Sequence, residues 1–270
     1  MSLLIGTQLY GWGQAYGMKG RQISEHYNDV LAAVADMGFD TAEASADPAD
    51  PDFVAQFADL LRGHGLKPVS MYCGADLHDK ARAGQTVEQI IAMGESLAQE
   101  GFSALDCNPT PIGREKTDDE LVVQAEHLDA LGAELRGIGI ALGLHNHTPE
   151  MVSEGREFHH NLRQTNPENV GLFMDVHWCW RGGADPWEIF TEYQDRLVGL
   201  HVRQSVDHIW TEDFCEGDLD YRPYIDALIA RQFEGPVLVE LAIEEGTPQT
   251  RTPEENHRRS AAYLRSLLPA

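Results

Sequence analysis

Short apolar runs alternate with amphipathic stretches along the whole chain, and this alternation limits the architecture more than any other feature. Leu3–Leu9 reads as a strand. Gln22–Met37 reads as a helix, with Ile23, Val30, Leu31 and Val34 at helical spacing. Further strands are expected at Phe39–Ala44, Lys67–Tyr72, Ala104–Cys107, Ala141–His145, Val170–Met174, Leu197–Arg203 and Pro236–Leu241. Helices are expected between and after them at Pro51–Arg62, Val87–Glu100, Asp118–Arg136, Arg156–Gln164, Pro186–Tyr193, Tyr221–Ala230 and Pro253–Leu267. Many of the strands are nearly continuous apolar runs, as parallel strands covered on both faces must be.

The punctuation agrees with this reading. Asp50-Pro51, Asp185-Pro186 and Thr252-Pro253 each put a capping side chain before a proline suited to the first helical turn. Thr117 with Glu120 and Thr252 with Glu255 match the capping box. Gly38, Gly65, Gly101 and Gly139 stand where a left-handed residue closes a helix before the next strand. Eight strand–helix units within 270 residues predict one (β/α)8 TIM barrel domain over 1–270. The rival is a doubly wound open sheet. It would carry a glycine-rich phosphate loop after its first strand, and Tyr10-Gly11-Trp12-Gly13-Gln14-Ala15 has the wrong spacing and no clear helix start.

Charge narrows the partners. The formal net charge of -24 repels phosphate backbones and anionic lipid surfaces, so neither nucleic acid nor membrane is an expected partner. No apolar run approaches the length of a spanning helix, and no secretory leader is expected. Cys73, Cys107, Cys179 and Cys215 form no CxxC pair and read as reduced thiols of a cytoplasmic protein.

In a barrel of this type the reactive groups sit where strands end and the following loops begin. Polar residues gather there: Glu43 on strand two, Tyr72 and Cys73 on strand three, and Asn108 after strand four. His145-Asn146-His147 ends strand five, Asp175-Val176-His177-Trp178 ends strand six, His201 and Arg203 lie on strand seven, and Glu240 lies on strand eight. Glu240 inside Val237-Leu238-Val239-Glu240-Leu241 is the most telling. A carboxylate in a buried apolar strand costs several kcal/mol unless it is paired or binds a cation. Asp175 makes the same demand, and His201 supplies a nitrogen. Together they predict a site for one divalent metal ion of the Mn, Mg, Co, Fe or Zn type. The competing reading is a buried ion-pair network that includes Arg203. His145 is a candidate fourth ligand, His147 and Glu150 candidate substrate contacts, and Trp178 a wall for a sugar face.

These motifs resemble the xylose-isomerase-like barrel superfamily of sugar isomerases and epimerases, which also holds inosose dehydratases and endonuclease IV-type repair enzymes. The resemblance runs through His145-Asn146-His147 with Glu150, Asp175-Val176-His177-Trp178 with Gly182-Gly183-Ala184-Asp185-Pro186, the strand of His201 and Arg203, Gly217-Asp218-Leu219-Asp220, and Glu240. It implies a divalent metal, often Mn, on four strand-end ligands. Asp175, His201 and Glu240 take three places, and His145 falls where the epimerases carry glutamate. It further implies a sugar or sugar phosphate substrate, chemistry next to a carbonyl through an enediolate, and self-association. Glu240 is the first candidate to move the proton, His147 the second, and His177 a proton donor to oxygen. Arg203 is a partner for developing negative charge, and Glu43, Tyr72, Asn108, Glu150 and Trp178 are candidate substrate contacts. Returning the proton gives isomerisation or epimerisation, and expelling a β-hydroxyl gives dehydration. A non-catalytic carbohydrate-binding protein and an abasic-site endonuclease are the remote alternatives; the charge opposes the latter.

Overall fold

The computed structural model describes residues 3–269; residues 1, 2 and 270, at the ends of the expected domain, lie outside them. In chain order the strands are β1 (Leu4–Gln8), β2 (Thr41–Glu43), β3 (Ser70–Ala75), β4 (Ala104–Pro109), β5 (Ala141–Leu144), β6 (Val170–Asp175), β7 (Leu197–Val202), β8 (Ser205–Val206), β9 (Ile209–Trp210) and β10 (Pro236–Val239). The helices are α1 (Tyr10–Gly17), α2 (Tyr27–Asp36), α3 (Asp52–Gly63), α4 (Ala83–Gln99), α5 (Asp118–Gly137), α6 (Thr148–Gln164), α7 (Val176–Arg181), α8 (Pro186–Tyr193), α9 (Arg222–Ala230) and α10 (Pro253–Ser266). An eight-stranded sheet has the order β2-β1-β10-β7-β6-β5-β4-β3, and β8 and β9 form a separate hairpin. Among the described residues no helix is long and apolar enough to cross a membrane, and all four cysteines carry free thiols.

Packing groups the residues into two compact units, each assembled from separate chain segments. The first comprises 1–44, 59–68 and 201–270. Its parallel core sets β1 against β10 from Leu4↔Pro236 to Thr7↔Val239, and β1 against β2 from Gly6↔Thr41 to Gln8↔Glu43. Trp12, Leu31, Val34, Val237 and Leu264 are among its fully buried side chains. The second unit comprises 45–58 and 69–200. There β3, β4, β5 and β6 run parallel in successive register, through Tyr72↔Asp106, Leu105↔Leu142 and Gly143↔Gly171. Phe57, Ile90, Leu128, Phe158 and Phe173 fill its interior.

Local chemistry sets the ends of the elements. Thr117 accepts from Glu120 N at 3.3 Å while the Glu120 side chain accepts from Thr117 N at 2.8 Å, closing the expected box at α5. Asp185 caps α8 and Thr252 caps α10. Gly38, Gly65, Gly101 and Gly139 all have positive φ, between 73° and 86°.

Among the segments that depart from expectation, three are instructive. A helix, α1, follows β1 directly although Gly11, Gly13 and Gly17 make its helix propensity poor. Long-range contacts override that: Gln14 donates to Ile243 O at 3.1 Å and accepts from Ile243 N at 2.6 Å. A Cβ on Gly11 would stand 2.1 Å from Leu241 O, so only glycine allows this approach. Regular pairing of β3 begins at Ser70 rather than Lys67, because Pro68 has no N–H for the ladder; Tyr72 and Cys73 thus lie inside the strand. Finally, α6 begins upstream of Arg156. Its turn at Thr148–Met151 meets the rest through Ser153, Glu154 and Gly155, all left-handed.

Thr117→Ala removes one half of the α5 capping box from an exposed position. The expected loss is about 1 kcal/mol, read in a thermal melt as a midpoint lower by about 2–4 °C.

Candidate functional site

In the first unit the polar strand-end residues converge on His201. Glu43 ends β2, His201 lies on β7, and Glu240 follows β10 directly, with its N–H donating to Val202 O at 3.0 Å. Glu43 is 0%, His201 1% and Glu240 6% exposed, so all three meet in a dry interior. His201 Nε2 hydrogen-bonds Glu43 Oε1 at 3.1 Å, and His201 Nδ1 lies 3.2 Å from Glu240 Oε2. Arg203 is buried beside them. Its Nη1 is 4.0 Å from Glu240 Oε1, its Nη2 is 3.8 Å from Glu244 Oε1 and donates to Ala242 O at 3.2 Å, and its guanidinium stacks 3.9 Å from the Trp210 ring centre. Trp210 belongs to the β8–β9 hairpin, whose turn residues Asp207 and His208 are both left-handed and donate their N–H groups to Asp218. The hairpin thus holds the plate on which Arg203 rests, and Asp218 ties its turn.

In the second unit, β5 ends at Leu144 and delivers His145, Asn146 and His147. Asp175 ends β6 and caps α7, with Oδ1 accepting from Trp178 N at 2.9 Å. Asn146 fixes it from the neighbouring strand end: Asn146 Nδ2 donates to Asp175 O and Asp175 N donates to Asn146 Oδ1, each at 3.0 Å. His145 and Asp175 are buried and offer ligand atoms within 4.8 Å of one another. Aromatic edges line the same side. Tyr72 meets His145 at 5.6 Å between ring centres, His145 meets His147 at 4.6 Å, and His147 meets Trp178 at 5.9 Å. His177 is fully buried in α7, edge-on to Trp180 at 5.2 Å. Asn108 is buried on β4, its Nδ2 donating to Pro109 O at 3.3 Å.

Two of the candidate substrate contacts have partners within the chain. Glu43, a candidate substrate contact, has its Oε1 on His201. Glu150, another, is 1% exposed and accepts from His147 N at 2.8 Å, closing the first turn of α6. Burial pushes the Glu150 carboxyl up to about 7, although the His147 N–H opposes that shift.

Asp106 and Asn146 escaped the sequence reading as site residues. Asp106 is wholly buried in mid-β4 with Oδ2 3.2 Å from His145 Nδ1. The signal was present, since a charge interrupts Ala104-Leu105-Asp106-Cys107 as Glu240 interrupts its own strand. Asn146 stood in the strand-end motif without a role of its own, because spacing does not show that its amide reaches Asp175.

Buried imidazoles and carboxylates are a donor set suited to a divalent ion of intermediate hardness. His145 with Asp175 in one unit, and His201 with Glu240 in the other, each contribute one nitrogen and one carboxylate oxygen. The residues present therefore fit the expected metal.

Comparison with known proteins adds the family. The family model described as xylose isomerase-like TIM barrel matches residues 31–267. An inosose dehydratase of Lacticaseibacillus casei is 26% identical over 251 residues, which cover 82% of each chain. A sugar phosphate isomerase/epimerase of Parabacteroides distasonis superposes with a TM-score of 0.77 at 20% identity, covering 98% of this chain and 94% of that one. A D-allulose 3-epimerase of Methylomonas sp., solved in complex with D-allulose, superposes with a TM-score of 0.76 at 18% identity, covering 98% and 97%. The eight-stranded parallel sheet with its intervening helices is a (β/α)8 barrel, and the chain belongs to the xylose isomerase-like TIM barrel family.

Proposed function

We propose that this chain is a single-domain, divalent-metal-dependent sugar or keto-sugar isomerase/epimerase that works by proton abstraction next to a carbonyl. The observation that carries the reading is a buried imidazole beside a buried carboxylate at the strand ends of each unit, His145 with Asp175 in one and His201 with Glu240 in the other. Catalytic groups of this architecture sit at that face. The site chemistry and the isomerases and epimerases among its structural neighbours point the same way.

His145, Asp175, His201 and Glu240 would hold the ion, with Mn the first candidate. A bound divalent ion supplies Lewis acidity toward the carbonyl and adjacent hydroxyl oxygens of a substrate. Glu240 takes the proton from the carbon beside the carbonyl, which leaves the substrate as an enediolate. Arg203, held flat on Trp210 next to Glu240, gives that negative charge a fixed cation. His147 returns a proton to carbon, and His177 serves a substrate oxygen. Tyr72, Asn108 and Trp178 orient the sugar, and the Glu150 carboxyl holds the turn that carries His147.

The second reading is dehydration: the same first proton transfer followed by loss of a β-hydroxyl. The inosose dehydratase relatives favour it. So does the donor set, where His145 takes the fourth place and Glu240 is the carboxylate assigned to the proton transfer. We also place the enzyme in the cytoplasm, a reading supported by its free thiols.

Metal analysis of protein purified without chelators is expected to give one divalent ion per chain, with turnover lost on chelation and restored by Mn. A folded chain that takes up no ion on titration removes the metal site. Glu240→Gln is expected to abolish exchange of substrate hydrogen for deuterium in heavy water, a loss of at least about a hundredfold, while the melt stays cooperative. Exchange with recovery of sugar supports the epimerase, exchange with loss of water supports the dehydratase, and binding without exchange supports a non-catalytic sugar-binding protein.

Glu150 gives a pH test. Its folded-state carboxyl titrates near 7, above the ordinary 4.5, so the folded chain holds the proton more tightly than the unfolded chain does. Its contribution to stability is therefore full below about 4.5 and is lost as pH rises through about 7. Denaturant titrations across that window are expected to show this loss, and Glu150→Gln to flatten it.

A further inference from the structure

We infer that Glu43 is a positioning residue whose carboxylate holds the Nε2–H of His201, so that His201 meets a cation through Nδ1. The inference rests on the metal reading above and assigns Glu43 a role other than substrate contact.

The geometry lies within one unit. Glu43 ends β2, in register with Gln8 of β1, and is completely buried. An ionised carboxylate in such a place requires a donor. His201 provides it, with Nε2 3.1 Å from Glu43 Oε1. The other ring nitrogen, Nδ1, lies 3.2 Å from Glu240 Oε2. His201 is thus held between two carboxylates, and each ring nitrogen faces one of them.

The two sides are not equivalent. Glu240 follows the end of β10, is 6% exposed, and has Arg203 4.0 Å from its other oxygen. Glu43 is 0% exposed, and its Oε1 is engaged by the imidazole. A cation bound at Nδ1 would leave that nitrogen without a proton. The one ring proton that remains is then on Nε2, and Glu43 is its acceptor. The carboxylate thereby selects the tautomer, fixes the plane of the ring, and makes Nδ1 a stronger donor through the hydrogen bond at the far nitrogen. Removing it would take away the hydrogen bond at Nε2.

The test uses the full-length chain stripped of metal, with Mn2+ as the probe for affinity and Zn2+ for nuclear magnetic resonance. Wild type is expected to bind one ion. Glu43→Gln is expected to bind it roughly 10- to 100-fold more weakly, with an unchanged far-ultraviolet circular dichroism spectrum, and Glu43→Asp to recover part of the loss. In the Zn2+-loaded wild type, the His201 ring proton is expected on Nε2. This measurement needs no variant and so survives a Glu43→Gln chain that fails to fold. A ring proton on Nδ1, or wild-type affinity in Glu43→Gln, overturns the inference while leaving the metal site standing. Two ions in wild type falling to one in Glu43→Gln would make Glu43 a ligand and also overturn it. Wild type that takes up no ion overturns the metal reading and this one together.

Discussion

Glu43, Asp106, Asp175, His201 and Glu240 are 0–6% exposed, and ionised groups so far from water must be balanced by neighbours within a few ångströms. His201 is held between Glu43 and Glu240, and Arg203 lies against Glu240 from the other side. Asp175 is fixed by the Asn146 amide and by the first turn of α7. Much of the surrounding structure serves these arrangements. The β8–β9 hairpin exists with two left-handed residues at its tip, and it supplies Trp210 to the face of Arg203. Gln14 anchors the start of the loop after β10, three residues beyond Glu240.

Rigidity and chemistry are linked here through the backbone. Asp175 and Glu240 sit where a strand has just ended, so their main chains are still held by the ladder while their side chains have left it. Asp175 N donates to a side chain, Asn146, and Glu240 N donates to Val202 O. Side chains at such positions start from a main chain that the strand has already fixed. The segment after β5 is different. His147 opens a helical turn that ends in three consecutive left-handed residues, and the buried Glu150 carboxyl holds that turn closed. The rings of Tyr72, His145, His147 and Trp178 meet edge-on in a row.

Charge interrupting an apolar strand is the sequence signal on which the candidate site rests. It singled out Glu240 and Asp175, and read with equal attention it also marks Asp106 within Ala104–Pro109. Histidines were less legible. His145, His147, His177 and His201 all stand near strand ends, but spacing does not say which ring nitrogen faces which carboxylate. Glu43 and Glu150 show what residue type and position leave open. Both looked like groups offered to a substrate. One has an oxygen on His201 and the other an oxygen on a backbone N–H, partners 158 and 3 residues away, of which only the near one falls within the reach of a local motif.

The alternation of apolar runs and amphipathic helices, the caps at Thr117, Asp185 and Thr252, and the left-handed glycines determined the (β/α)8 architecture by themselves, because each acts within one turn or one strand of chain. They also determined which residues emerge at the C-terminal ends of the strands, since side-chain direction alternates strictly along a strand. Tertiary structure alone decided that α1 forms despite its three glycines, because its stability comes from Leu241 and Ile243, more than 200 residues away. It alone decided that Arg203 lies on Trp210, that Asn146 clamps Asp175, and that Glu43 faces His201. Each of these is a contact between distant segments whose closeness costs chain entropy, and only the packing of the whole core supplies the free energy to hold them together.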